Sequence, residues 1–466
     1  MSVVLCGVCP HPPIMIPWIG QMESEKVKET QYAMVELAGR IKDAGADTVV
    51  IISPHAPIFQ DVVGINMKPV LNGNFDKFGA GYLRYELEND LPLVAEIKKQ
   101  AAGLDLQMLE LNDDVARRYD LDLDLDHGVT VPLFFMEEIG VQLPLVHVAM
   151  SVAPPEQLYG FGLAVRRASD ILGRKVVLLA SGDLSHCLTA DAPGGYNKRG
   201  EEFDLEMKRL LEGADLGGIV GMDQTLVREA GECGYRSIVM MLGALDGYDV
   251  RSRVLFYEGP FGVGYLVATL DPVSENPQKS LLAKLQGKKQ AEMEMLRSRE
   301  SYLTGLARKT LENHLDGAPR PQTGKVPEEF NKRAGVFVSI KKQGSLRGCI
   351  GTIEPQQDSI VEEVMANAIS AGLGDPRFQP VQPEELKDLE YSVDVLQPPE
   401  PIQGPGELDP AKYGVIVRSG HRSGLLLPNL EGIETPAEQV QIARQKAGIG
   451  PHEEVRLERF EVVRYK

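Results

Sequence analysis

The 466-residue chain has no apolar run approaching the roughly 18 uncharged residues that a membrane span requires. Its opening lacks a basic segment leading into a long apolar stretch, so the expected compartment is the cytoplasm. Positive charge is in deficit: 49 Lys and Arg against 67 Asp and Glu leave a net charge of −18. That argues against a nucleic-acid partner, because phosphate binding needs a basic face. Cysteine is scarce and odd in number, five in all, which reads as reduced thiols rather than a disulfide framework. Cys6 and Cys9 form a C-x-x-C, but no second pair completes a zinc site. In a strand, positions i and i+3 also face opposite sides, so these two are expected to be ordinary strand cysteines. No internal repeat and no low-complexity tract is present.

What remains is ordinary soluble composition, 43% apolar and 25% charged, in a chain long enough for two domains. Apolar, β-branched runs recur: "SVVLCGV", "DTVVIIS", "PLVHVAMS" and "KVVLLAS". The segment 23–44, with helical spacing of apolar residues, joins the first two. Such alternation predicts an α/β domain with a largely parallel sheet buried on both faces and flanked by helices. "RVLFYEGPFGVGYLVATL" (253–270) reads as a closing strand pair; its glycines lead into no helix, which argues against a phosphate loop. Past Pro272 the texture becomes polar and then helical, from Leu281 to Leu311. The expected division is a first domain at 1–272 and a second, α+β and rich in connecting prolines, at 285–466.

Two apolar runs end in Pro-His-x-Pro, at His11 ("CPHPP") and His55 ("SPHAP"). Proline stops the ladder and stiffens the residue before it, so each histidine sits on a rigid strand end. In a parallel sheet, functional groups gather at the carboxyl edge. A third strand end, "LLASGDLSH", delivers Asp183 and His186, and "DLDLDLDHG" supplies His127. A lone histidine in such a place is more often a turn residue than a ligand; several at successive strand ends point to a site. "DLDLDLD" lacks the glycine and final glutamate of a calcium loop, and its alternation predicts a strand with one acidic face. His147 lies inside an apolar run and is expected in the core. Two neutral imidazoles and one carboxylate suit a redox-capable divalent metal. Glu232, in "ECG", is the carboxylate candidate, and its neighbour Cys233 competes for the place.

These motifs, "PHPP", "SPHAP", "DHG", "SGDLSH" and "ECG" in this order, resemble the class III extradiol ring-cleaving dioxygenases and the Memo proteins that share their fold. The resemblance implies a non-haem Fe(II), or another divalent metal, held by His11, His55 and Glu232, with Cys233 at the position of a Memo cysteine. It implies that His186 is the base, Asp183 its partner and His127 the histidine beside the oxygen site. The implied substrate is a small molecule of catechol type.

In the second domain, "GSLRGCIG" and "DPRF" resemble the AMMECR domain family. Gly348 and Gly351 permit close backbone approach around Cys349, and Arg347 is a candidate to lower that thiol's pKa. The family's association with Memo-like and radical S-adenosylmethionine proteins implies such a protein as a partner. The second domain is expected to shape or serve the active site of the first.

Overall fold

Strand formation in the first half follows the β-branched runs. The computed structural model describes residues 1–466 apart from Asp105, Gln343 and Glu431, and, for Gln286 and Lys289, the backbone alone. The strands are β1 (Val3–Cys9), β2 (Thr48–Ser53), β3 (Val63–Asn66), β4 (Val70–Phe75), β5 (Ala80–Glu88), β6 (Met108–Leu111), β7 (Leu145–Ala149), β8 (Val176–Ser181), β9 (Tyr248–Glu258) and β10 (Tyr265–Glu275). Eight of them form one sheet in the order β6-β3-β7-β2-β8-β1-β10-β9. Its centre, β7-β2-β8-β1, is parallel; β10 and β9 close one edge antiparallel, and β3 runs antiparallel to β7.

Every residue of β2, β7 and β8 is buried. Alternate residues feed two cores: Cys6, Val8, Val50, Ile52 and Leu178 on one face, Leu5, Cys9, Val49, Ile51 and Leu179 on the other. Full burial of each Val, Leu or Ile contributes about 1.5–3 kcal/mol, which explains near-continuous apolar strands. Cys6 and Cys9 thus lie on opposite faces, both as free, buried thiols. Helix Lys28–Ala44 covers one face and ends at Gly45, whose φ of 59° is the left-handed cap glycine favours.

Two local expectations give way to tertiary forces. "DLDLDLD" does alternate in burial, with Leu123 and Leu125 inside and Asp122 and Asp124 outside. It makes no strand, because Asp126 caps the helix His127–Glu138 and only Leu125 bridges to Gly73. The helical stretch after Leu281 is two helices, Leu281–Ser298 and Tyr302–Leu315. Ser301 starts the second by accepting a hydrogen bond from Thr304 N at 3.2 Å.

The chain divides into two units, Met1–Gly287 and Lys288–Lys466. The second holds β11 (Val336–Lys342), β12 (Ser345–Gly351), β13 (Leu389–Leu396), β14 (Glu400–Ile402), β15 (Gly414–Ser419), β16 (Arg422–Leu426), β17 (Arg456–Phe460) and β18 (Val462–Tyr465). They form two antiparallel sheets, β12-β11-β13-β18 and β14-β17-β15-β16. Among the described residues no helix is long and apolar enough to cross a membrane.

Candidate metal centre

β2, β8 and β1 are side by side and parallel, with Ile52 opposite Ala180 and Cys9 opposite Ser181. His11, His55 and Asp183 each follow two residues after the end of one of these strands. Neighbouring strands are about 4.8 Å apart, so three chains leaving one edge bring these side chains within reach. The β8 exit fixes His11 twice: Ser181 Oγ lies 2.9 Å from His11 Nδ1, and Asp183 Oδ1 accepts from His11 N at 3.0 Å. With Nδ1 engaged, Nε2 is left for the interior. It faces His55 Nε2 at 2.9 Å and Cys233 Sγ at 3.8 Å.

Cys233 arrives from the turn before helix Tyr235–Leu242. That turn is docked on the β8 exit by Cys233 N and Gly234 N, which donate to Asp183 O at 3.3 and 3.0 Å. Asp183 N in turn donates to Cys233 Sγ at 3.2 Å. The approach needs glycine on both sides: a Cβ on Gly182 would stand 2.1 Å from Gly234 Cα. The donor atoms of His11, His55 and Cys233 lie within 4.8 Å of one another, as do those of Asp183, His186 and Cys233. The sulfur is common to both groups.

His127 opens its helix beside them. Its ring stacks on His55 at 4.1 Å and meets His11 edge-on at 5.4 Å, with Phe78 of the β4–β5 hairpin on another side. Asp126 holds that helix start, with Oδ1 accepting from Ser53 Oγ at 2.6 Å and Gly128 N at 2.7 Å. Its Oδ2 lies 3.5 Å from Nε2 of the buried His147. Asp126 was not singled out from sequence, although Asp before a helix-starting His-Gly is a capping signature.

Burial dominates the electrostatics. It pushes His11 down to about 3, with His55 adding to the effect, and His127 likewise to about 3. Both imidazoles are therefore neutral, the form that ligates or donates one hydrogen bond. Burial raises Asp183 to about 6 and lifts the Cys233 thiol well above its ordinary value. Burial also opposes ionisation of Asp126, yet His147 and Ser53 outweigh it and hold that carboxyl below the usual range.

Of the residues expected from sequence, the structure brings together His11, His55, His127, Asp183 and His186, with Cys233 among them. Nδ1 of His186 is buried without a hydrogen-bond partner among the described residues. Glu232 is turned elsewhere: its carboxylate accepts from Tyr235 N and lies 3.8 Å from Arg236 Nη1. Burial raises it to about 7. A donor set of two imidazoles and a thiol, with His186 and Asp183 gathered on the same sulfur, fits a divalent transition metal.

Residues 5–268 match the family described as the catalytic LigB subunit of aromatic ring-opening dioxygenase, and residues 304–466 match AMMECR1. The protein CA_C1420 of Clostridium acetobutylicum is 40% identical over 466 residues, covering 98% of each chain. A Thermotoga maritima protein is 54% identical over 144 residues, 30% of this chain and 83% of its own. Among solved structures, protein PH0010 from Pyrococcus horikoshii aligns at 32% identity and TM-score 0.34, over 36% of this chain and 91% of its own. Protein JW3007 from Escherichia coli K12 aligns at 14% identity and TM-score 0.40, over 57% and 99%.

Proposed function

The chain belongs to the family of the catalytic LigB subunit of aromatic ring-opening dioxygenase, with an AMMECR1 domain behind it, and on that premise we propose that its N-terminal domain is a metal-dependent oxidoreductase of extradiol type acting on small catechol-like molecules. The observation that carries the reading is the convergence of His11, His55 and Cys233 donor atoms within 4.8 Å, with Asp183 and His186 gathered on the same sulfur. His11 Nε2, His55 Nε2 and Cys233 Sγ would hold the metal. Bound Fe(II) supplies Lewis acidity and one-electron chemistry.

The chain's own residues handle the proton. His186, gathered with Asp183 and Cys233, takes the proton of a substrate hydroxyl. Asp183 stands beside it and stabilises the imidazolium that results. His127, neutral and stacked on His55, offers a hydrogen bond to the substrate, and Phe78 packs edge-on against its ring.

A specific observation also favours a second reading, oxygen-independent chemistry at the same metal. The donor facing the histidines is sulfur, whereas the Glu232 carboxylate is engaged by Tyr235 and Arg236. One experiment separates the two. Full-length protein, purified without oxygen and loaded with Fe(II), is mixed with a panel of catechols and then with oxygen. A coloured ring-opened product is expected. Its absence across the panel, with iron fully loaded, overturns ring cleavage in favour of the second reading.

A further inference from the structure

His147 stands in the middle of β7, a strand buried at every residue. Val146 and Val148 face one core, while Leu145, and Ile51 directly opposite on β2, face the other. His147 therefore points to the face covered by the helix His127–Glu138, whose Val129, Val131 and Leu133 belong to that second core. A leucine there would complete an apolar layer; the histidine buries a polar ring instead. Neither ring nitrogen has a hydrogen-bond partner among the described residues. The polar atom the ring faces is Asp126 Oδ2, 3.5 Å from His147 Nε2 and also buried without a hydrogen bond of its own. Each group is costly to bury alone, and each offsets the lost hydration of the other.

The second oxygen of the same carboxylate reaches the metal centre. Asp126 Oδ1 accepts from Ser53 Oγ at 2.6 Å and from Gly128 N at 2.7 Å. Ser53 Oγ in turn accepts from His55 N at 3.2 Å. One carboxylate thus ties the chain carrying His55 to the first turn of the helix carrying His127, and these are the two rings that stack at 4.1 Å. The junction is tight: a Cβ on Gly128 would stand 2.4 Å from Ser53 Oγ. Burial opposes ionisation of Asp126, and His147 and Ser53 outweigh it. With an apolar side chain at 147, Oδ2 would have nothing to replace its lost hydration. The carboxylate would then be drawn toward water, and Oδ1 would loosen from Ser53 and Gly128.

We propose that His147 is a positioning residue of the metal centre: through Asp126 it fixes the ligand His55 and the substrate-facing His127 against each other. The inference rests on the reading of His11, His55 and Cys233 as metal ligands. It gives a core histidine outside the gathered donor atoms a part in metal affinity. The competing view is that His147 only fills space in the core.

The test titrates the full-length protein with Co(II) and measures urea midpoints in parallel. His147→Leu keeps apolar bulk and removes the N–H, and its cobalt Kd is expected to rise about 10–100-fold, the usual worth of a partner behind a metal ligand. His147→Gln places an amide N–H near the position of Nε2 and is expected to bring Kd back toward the wild-type value. In an Asp126→Ala background no carboxylate remains to be fixed, so His147→Leu is expected to add no further loss. Wild-type affinity in His147→Leu overturns the proposal. So do equal losses in His147→Leu and His147→Gln, or losses that multiply in the double variant, since packing alone would produce them. A wild type that binds no cobalt removes the metal centre itself, whereas one that binds it leaves only the Asp126–His147 pair under test.

Discussion

His11 Nε2 and His55 Nε2 face each other at 2.9 Å, although their strands are separated in the sheet by β8. Two imidazole nitrogens take up such a geometry by sharing one proton or by aiming both lone pairs at a common ion. Ser181 on His11 Nδ1 leaves Nε2 as the inward atom. The neighbouring sulfur completes a set of three donors.

Cobalt substitution distinguishes the third donor. Co(II)-loaded wild-type protein is expected to show an intense near-ultraviolet thiolate-to-metal band. Glu232→Gln should keep that band and Cys233→Ser should lose it, while His11→Ala and His55→Ala bind little metal. A band that survives in Cys233→Ser and vanishes in Glu232→Gln assigns the carboxylate instead.

His186→Ala separates proton transfer from ligation. The variant is expected to keep its metal stoichiometry by elemental analysis and to lose about 10²–10⁴-fold in kcat on any catechol the wild type accepts. Loss of the metal itself would place His186 among the ligands.

Gly182→Ala forces the β8 exit off the turn that carries Cys233, because the new Cβ would stand 2.1 Å from Gly234 Cα. The expected cost is about 1–3 kcal/mol in urea unfolding, with weaker metal binding as Cys233 moves. Wild-type stability and metal affinity together would refute the close approach.

Asp204 predicts a pH dependence. It is buried, accepts from Ser185 N and Tyr257 OH, each at 2.8 Å, and burial raises it from 3.8 to about 7. The folded state therefore binds the proton more tightly than the unfolded chain. That contribution is fully present below the unfolded pKa and is lost as pH rises through about 7. At about 1.4 kcal/mol per pKa unit it amounts to no more than about 4 kcal/mol. In urea titrations, wild type should lose stability relative to Asp204→Asn between pH 5 and pH 8. A constant difference would show that Asp204 does not titrate in this range.

The strand runs and the proline-bounded histidines were legible in the sequence because their causes are local. A β-branched run buried on both faces has no polar alternation to hide it, and proline beside His11 and His55 marks where each ladder stops. That the sites of these stops meet also follows, since parallel strands share a carboxyl edge. The order of β2, β8 and β1 in the sheet is another matter, and it is what places His11, His55 and Asp183 in one row.

Glu232 and Cys233 are adjacent, so no spacing argument can say which one faces the histidines. The docking of Cys233 N and Gly234 N on Asp183 O decides it, through a contact between residues 50 positions apart. Arg347 and Cys349 likewise sit two apart in one strand, yet Glu385 draws the arginine away while Arg377 donates to the Cys349 carbonyl. Local sequence determines where a chain extends, turns and caps, because those energies involve neighbours. Which polar atom of a turn points into a site depends on hydrogen bonds to distant backbone, and only the tertiary structure contains those partners.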